Sequence, residues 1–212
     1  MRATTCLVSL LLLLPTGAAV AADADGRLTE AEKTEMLSML DTTAKDFLAL
    51  IENVTEEQWK WKSSPDRWSV GECAEHVILS ERMLYQTALD ALKSPPDPEW
   101  ASKTDGKVDF LKQVMPNRNP GGAGGAKAPQ EIVPEGNLTK EDVVRRFNES
   151  RAEIRAFVVA LDQPAKEHIV VHPFKVFGPL NAYDWLIYVP LHTIRHSRQI
   201  VEVQQTAGYP TN

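Results

Sequence analysis

Four times along this chain a Thr, Ser or Asn stands three residues ahead of a carboxylate and opens a long run of apolar side chains spaced at three and four: Thr29–Glu32, Ser69–Glu72, Thr139–Asp142 and Asn181–Asp184. A side-chain oxygen at the first position and a carboxylate at the fourth satisfy backbone N–H groups that a helix start leaves without partners. Spacing at three and four places the apolar side chains on one face. The first run, Met36, Leu40, Ala44, Phe47, Ile51 and Val54, predicts a helix of about seven turns. The second predicts a helix over about 69–93, with Cys73, His76, Val77, Ser80, Met83, Leu84, Thr87 and Ala91 on its stripe. Val143, Phe147, Ile154, Phe157, Val158 and Leu161 mark a third, to about residue 162. The fourth reaches about Gln204 and contains Pro190, which removes a ladder bond and predicts a kink. Four amphipathic helices and little strand pattern define an all-α four-helix bundle.

The segments between these runs are less regular. Asn53–Trp61 reads as a turn, and Trp61–Trp68 as a loop whose tryptophans cover an edge of the core. Pro95, Pro96 and Pro98 end the second helix and begin a long loop over 94–138. Within it, Val108–Met115 has the pattern of one or two helical turns, and the Gly-rich stretch Asn119–Lys127 reads as flexible. That stretch is not a phosphate-binding P-loop, because no Gly-Lys-Ser/Thr follows at the required spacing. Ile169–Val171 and Phe174–Phe177 are predicted to be extended.

Residues 1–22 read as a secretory signal peptide. Arg2 is followed by the apolar run Leu7–Leu14 and then by Ala19-Val20-Ala21-Ala22, with cleavage after Ala21 or Ala22. The apolar run falls short of the roughly 20 residues a membrane span needs. The remaining 23–212, about 190 residues, suffices for one domain with its own core. The expected product is exported, periplasmic or secreted, with no stable membrane anchor after cleavage. The formal net charge is −6, and no basic patch stands out, which excludes nucleic acid as an expected partner. Only Cys73 remains beyond the leader, so no disulfide within the chain is available to hold the exported fold.

The titratable residues on apolar stripes carry the functional signal. With His192 at zero on the fourth helix, His196 lies at about 40°, Trp185 at about 20°, Tyr188 at about −40° and Gln199 at about −20°. Both histidines therefore face the core together with aromatic residues, and His76 faces it from the second helix. Three inward imidazoles on two helices need a shared partner, because buried ring nitrogens must be satisfied. A divalent metal is the expected partner, the alternative being a structural domain with fortuitous core histidines, and Zn, Ni and Fe all suit imidazole ligands. His168 and His172 also stand four apart, but Ile169–Val171 between them is extended, which separates them by roughly 13 Å. Glu72, one turn before His76, is placed either to orient an imidazole or act as a base, or to serve only as the carboxylate of its capping box. Arg195 and Gln199 are candidates to bind a substrate oxygen. Cys73, about 60° from His76, reads as a small core residue.

The segment Trp68-Ser-Val-Gly-Glu-Cys-Ala-Glu-His76, together with Leu191-His192-Thr-Ile-Arg-His196-Ser-Arg-Gln199-Ile, resembles the DinB-like (DinB/YfiT) superfamily. The resemblance covers nearly the whole chain beyond the leader. It implies an up-down-down-up bundle, often dimeric. It also implies a divalent metal held by His76, His192 and His196, with water completing the site. The activities it implies are thiol transfer, thiol-dependent isomerisation and hydrolysis on a small-molecule substrate that the sequence leaves unidentified. The expected function is a metal-dependent hydrolase or transferase activating water or a thiol, and the alternative is a non-catalytic metal-binding or sensing bundle. This chain departs from the usual pattern in its export signal, its long 94–138 connection and Pro190 inside the fourth helix.

Overall fold

A computed structural model describes residues 25–117 and 128–211. The leader read at 1–22 lies outside the described residues, and so does the whole Gly-rich stretch Asn119–Lys127. The helices are α1 (Glu30–Ile51), α2 (Glu56–Lys60), α3 (Val70–Ala91), α4 (Trp100–Lys103), α5 (Lys107–Val114), α6 (Lys140–Ala160) and α7 (Ala182–Gln204). Strands β1 (Ile169–Val171) and β2 (Pro179–Asn181) form an antiparallel hairpin in which Ile169 pairs with Asn181. No helix among the described residues is long and apolar enough to cross a membrane.

The four long helices are the four read from the periodicity, and the capping residues act as expected. Thr29, Ser69 and Asn181 each accept from the N–H three residues on and donate their own N–H to the carboxylate there, while Thr139 accepts from the Asp142 N–H. A further reciprocal box, Thr55–Gln58, makes Glu56–Lys60 a one-turn helix where the sequence reading has only a turn. Helix α7 continues through Pro190 without a break. Within 94–138, the helical turns read at Val108–Met115 are α5, and the stretch is less of a loop than expected because α4 and a single 3₁₀ turn at Gln130–Ile132 lie there as well. Phe174–Phe177 is not extended. Phe177 N–H donates to the Phe174 carbonyl, and His172 N–H to the Gly178 carbonyl, so these residues form the hairpin's turn and the second strand begins after Gly178. The left-handed φ of 63° at Gly178 is a conformation that a side chain would disfavour.

Helix α7 packs on α3 and α1, and α6 packs on the same two from the other side. Thus α1 lies diagonally opposite α3, and α6 opposite α7. Contacts at several heights set the directions. Lys140 reaches the Glu52 and Val54 carbonyls while Arg155 pairs with Asp41, so α6 is antiparallel to α1. Gln204 donates to the Leu50 carbonyl, at the C-terminal ends of both α7 and α1, so those two run parallel. His76 lies against His196 while Thr193 meets Glu81, so α3 is antiparallel to α7. The bundle is therefore up-down-down-up.

Its core is two apolar clusters. One contains Met36, Leu40, Leu84, Ala88, Ile154, Val158 and the first half of α7. The other contains Phe47, Ile51, Val70, Cys73, Val77, Val143, Phe147 and Ile200. Between them runs a transverse polar layer of Thr43, His76, Ser80, Glu81, Arg151, Thr193 and His196, all buried.

Two predictions arise from the helix starts. A Cβ at Gly71 would meet the Trp59 indole at 2.5 Å, and that indole donates to the Leu138 carbonyl at 3.1 Å. Gly71→Ala is expected to destabilise by about 1–3 kcal/mol, against a helix-propensity gain of about 1 kcal/mol, as read by a lower denaturant midpoint. At the start of α7, burial pushes the Asp184 carboxyl up to about 7 from the ordinary 3.8. The folded state thus holds a proton that the unfolded state releases. Stability from this group is present below the unfolded value and is lost as pH rises to about 7. Asp184→Asn is expected to flatten the stability profile over that range in chemical denaturation.

Candidate metal centre

His76 sits on the face of α3 that packs on α7, and His192 and His196 stand one turn apart on the face of α7 that meets it. The ring centroids are 5.2 Å apart for His76–His192, 4.3 Å for His76–His196 and 4.4 Å for His192–His196. One ring nitrogen from each lies within 4.8 Å of the other two, so the group could hold a metal ion. Zinc–nitrogen bonds of about 2.0–2.1 Å put two tetrahedral ligand atoms roughly 3.4 Å apart, which modest ring rotations reach.

The hydrogen bonds of the outer ring nitrogens fit this use. His76 Nδ1 lies 2.6 Å from the Ile132 carbonyl oxygen, which only accepts, so Nδ1 carries the proton and Nε2 is left with its lone pair. His196 Nδ1 lies 2.8 Å from Gln199 Oε1, with the same consequence. Ser80 Oγ approaches His76 Nε2 at 3.3 Å, a long contact that a stronger partner replaces readily. Burial, with the charge of Arg195 acting in the same sense, holds His192 well below the ordinary imidazole value. It is therefore neutral, as a metal ligand must be. The Trp68 ring stands 4.7 Å from His76 and 6.3 Å from His196, and Tyr188 lies 6.0 Å from His192, so aromatic walls flank the group.

The structure thus brings His76, His192 and His196 together and employs the other candidates elsewhere. Both oxygens of Glu72 are engaged at the helix start: Oε2 accepts from Ser69 N–H at 2.7 Å and Oε1 from Lys62 Nζ at 2.8 Å. Gln199 orients His196, and Arg195 donates to the Asn117 carbonyl just beyond α5. Cys73 is fully buried among apolar residues. His168 and His172 stay apart from the group, on either side of β1. His168 Nδ1 lies 2.7 Å from the Ser94 carbonyl, and His172 accepts from Phe174 N–H and stacks on Trp185 at 5.0 Å.

Sequence reasoning missed the charged half of the polar layer. Glu81 and Arg151 form a buried ion pair. Thr193 donates to Glu81 at 3.0 Å and accepts from Arg151 at 2.8 Å, while Arg151 also reaches Thr43 and the Leu40 carbonyl. Burial pushes the Glu81 carboxyl up, and Arg151, Thr193 and Ser150 pull against it. The available signal was Arg151 itself, which falls four after Phe147 and three before Ile154, on the apolar stripe.

Comparison with known proteins agrees with this picture. Residues 39–200 match the model of the DinB superfamily. The chain is 22% identical over 156 residues to the uncharacterized protein YuaE of Bacillus subtilis (strain 168), an alignment covering 73% of this chain and 88% of YuaE. No solved structure matches.

Proposed function

The chain belongs to the DinB superfamily, and on that premise we propose that it is a metal-dependent hydrolase or transferase acting on a small molecule. The observation that supports this most is the convergence of three imidazoles, each with a ring nitrogen within 4.8 Å of the others, two of which are held by outer hydrogen bonds that leave the inner nitrogen its lone pair. In this reading the Nε2 atoms of His76 and His196, with a nitrogen of His192, hold a divalent Zn, Ni or Fe ion. A bound ion lowers the pKa of a water or thiol and so supplies a nucleophile at neutral pH. Ile132 and Gln199 keep two of the rings in one tautomer and orientation. Trp68 and Tyr188 limit water around the site. Glu72 fixes the start of α3, and through it the height of His76, instead of moving a proton.

Metal quantification on the purified protein tests the binding half, and an ester, amide and thiol-conjugate screen with metal added and chelated tests the catalytic half. Turnover lost on chelation and regained on reloading is the expected result. A fully loaded protein inactive across the screen supports the second reading, a metal-binding or sensing bundle, for which the close approach of Trp68 and Tyr188 speaks. Glu72→Gln is expected to keep full metal stoichiometry while lowering stability by about 1 kcal/mol, read by denaturant titration. The reading includes export with cleavage after Ala21 or Ala22, which N-terminal sequencing of the native protein tests.

A further inference from the structure

Glu75, the residue before His76, is a carboxylate only 6% exposed. Its oxygens accept three successive backbone N–H groups: Glu135 at 3.2 Å on Oε1, then Gly136 at 2.9 Å and Asn137 at 3.2 Å on Oε2. Such a run of N–H groups is an anion-binding nest, and the left-handed φ of 74° at Gly136 is what turns it toward one point. A carboxylate suits the nest because it only accepts and has lone pairs enough for every donor.

The segment so held is the one that touches His76. Between the 3₁₀ turn Gln130–Ile132 and α6 the chain has no helix or strand of its own. It is fastened at Leu138 by the Trp59 indole, at 135–137 by Glu75, and at Ile132 by that residue's own burial. The Ile132 carbonyl then accepts from His76 Nδ1 at 2.6 Å. One helix thus holds the segment with Glu75 and is addressed by it at the next residue.

We infer that Glu75 is a positioning residue of the metal centre, which holds 135–137 so that the Ile132 carbonyl fixes the His76 tautomer and aims Nε2 at the ion. This rests on the metal-binding reading above. Glu75 is not a fourth ligand, because its oxygens are spent on the nest and it stands about 100° round the helix from His76. Removing it leaves three N–H donors without their acceptor, and the segment moves to find water, taking the Ile132 carbonyl with it.

The test uses the full chain, Zn²⁺ alone as the probe, and two variants, Glu75→Ala and the isosteric Glu75→Gln, which keeps the volume should alanine fail to fold. Chelator competition is expected to show affinity weakened about 10-fold or more. Amide exchange at 135–137 is expected to accelerate, and ¹⁵N shifts of the metal-free His76 ring to change from the Nδ1–H form to a mixture. Ile154→Val, which loosens the opposite apolar cluster, is expected to leave affinity and tautomer unchanged. Unchanged zinc affinity in Glu75→Gln, with exchange at 135–137 accelerated, overturns the inference, as does exchange that does not change. Wild-type protein that binds no zinc overturns the metal reading, and the His76 tautomer in the metal-free variants still judges the positional role of Glu75.

Discussion

Replacing His192 and His196 together by alanine is expected to weaken metal binding by more than about 100-fold, above the 10–100-fold typical of residues that act through a ligand. Two of the three converging imidazoles lie on α7, one turn apart, and without them one imidazole of the group is left. His76→Ala is expected to cost as much, because it removes the contribution of α3. The check is metal content after dialysis together with the metal-induced rise in melting temperature. At a metal concentration 100 times the dissociation constant, binding stabilises a protein by about 2.7 kcal/mol, and the double variant is expected to show none of this. Variants that retain metal at full stoichiometry would place the ion elsewhere. The metal-free double variant is expected to remain folded, since alanine removes buried polar nitrogens that need partners.

Arg151→Met is expected to destabilise the fold by about 3–5 kcal/mol, the typical cost of leaving one member of a buried ion pair alone. Glu81 is 1% exposed, and without the guanidinium its carboxylate keeps only hydroxyl donors, Thr193 and Ser150. Burial then acts almost unopposed, and the folded-state pKa of Glu81 rises further above the ordinary 4.5. The folded variant takes up a proton that its unfolded state lacks. The loss is therefore smallest below the ordinary value and grows as pH rises toward the folded one. Denaturant midpoints for wild type and variant at pH 5 and pH 8 measure this, and a loss equal at both would refute it. Arg151 Nε is buried without a hydrogen-bond partner, so the intact pair is imperfectly satisfied. The double variant Arg151→Met, Glu81→Leu is accordingly expected to recover most of the lost stability.

The bundle was legible in the sequence because each long helix announces itself twice, in its cap and in its stripe. The Thr55–Gln58 box was equally visible but guards a single turn, too short for a stripe to appear behind it. The histidines were legible because a titratable side chain on an apolar face is conspicuous. Glu81 was not, since it lies about 140° from His76 round the helix. Only the three-dimensional fact that α3 packs on α6 as well as α7 makes that second face internal. The same holds for Glu75, whose partners are 60 to 62 residues away and are backbone groups with no side-chain signature. The extended reading of Phe174–Phe177 failed because β-favouring residues also close a hairpin when a glycine follows them to reverse the chain.

The transverse polar layer divides the sequence into parts with different freedom to vary. Above and below it the bundle asks only for apolar volume, which many combinations of Leu, Ile, Val, Met and Phe supply. Within it, Thr43, Glu81, Arg151 and Thr193 are each matched to a named donor or acceptor on another helix. A slip of any long helix by one turn, about 5.4 Å, separates Glu81 from Arg151, His76 from the histidines of α7, or Thr43 from Arg151. The layer therefore keeps the helices in register, and the two apolar ends are interchangeable modules that a protein engineer could redesign one at a time around a fixed centre.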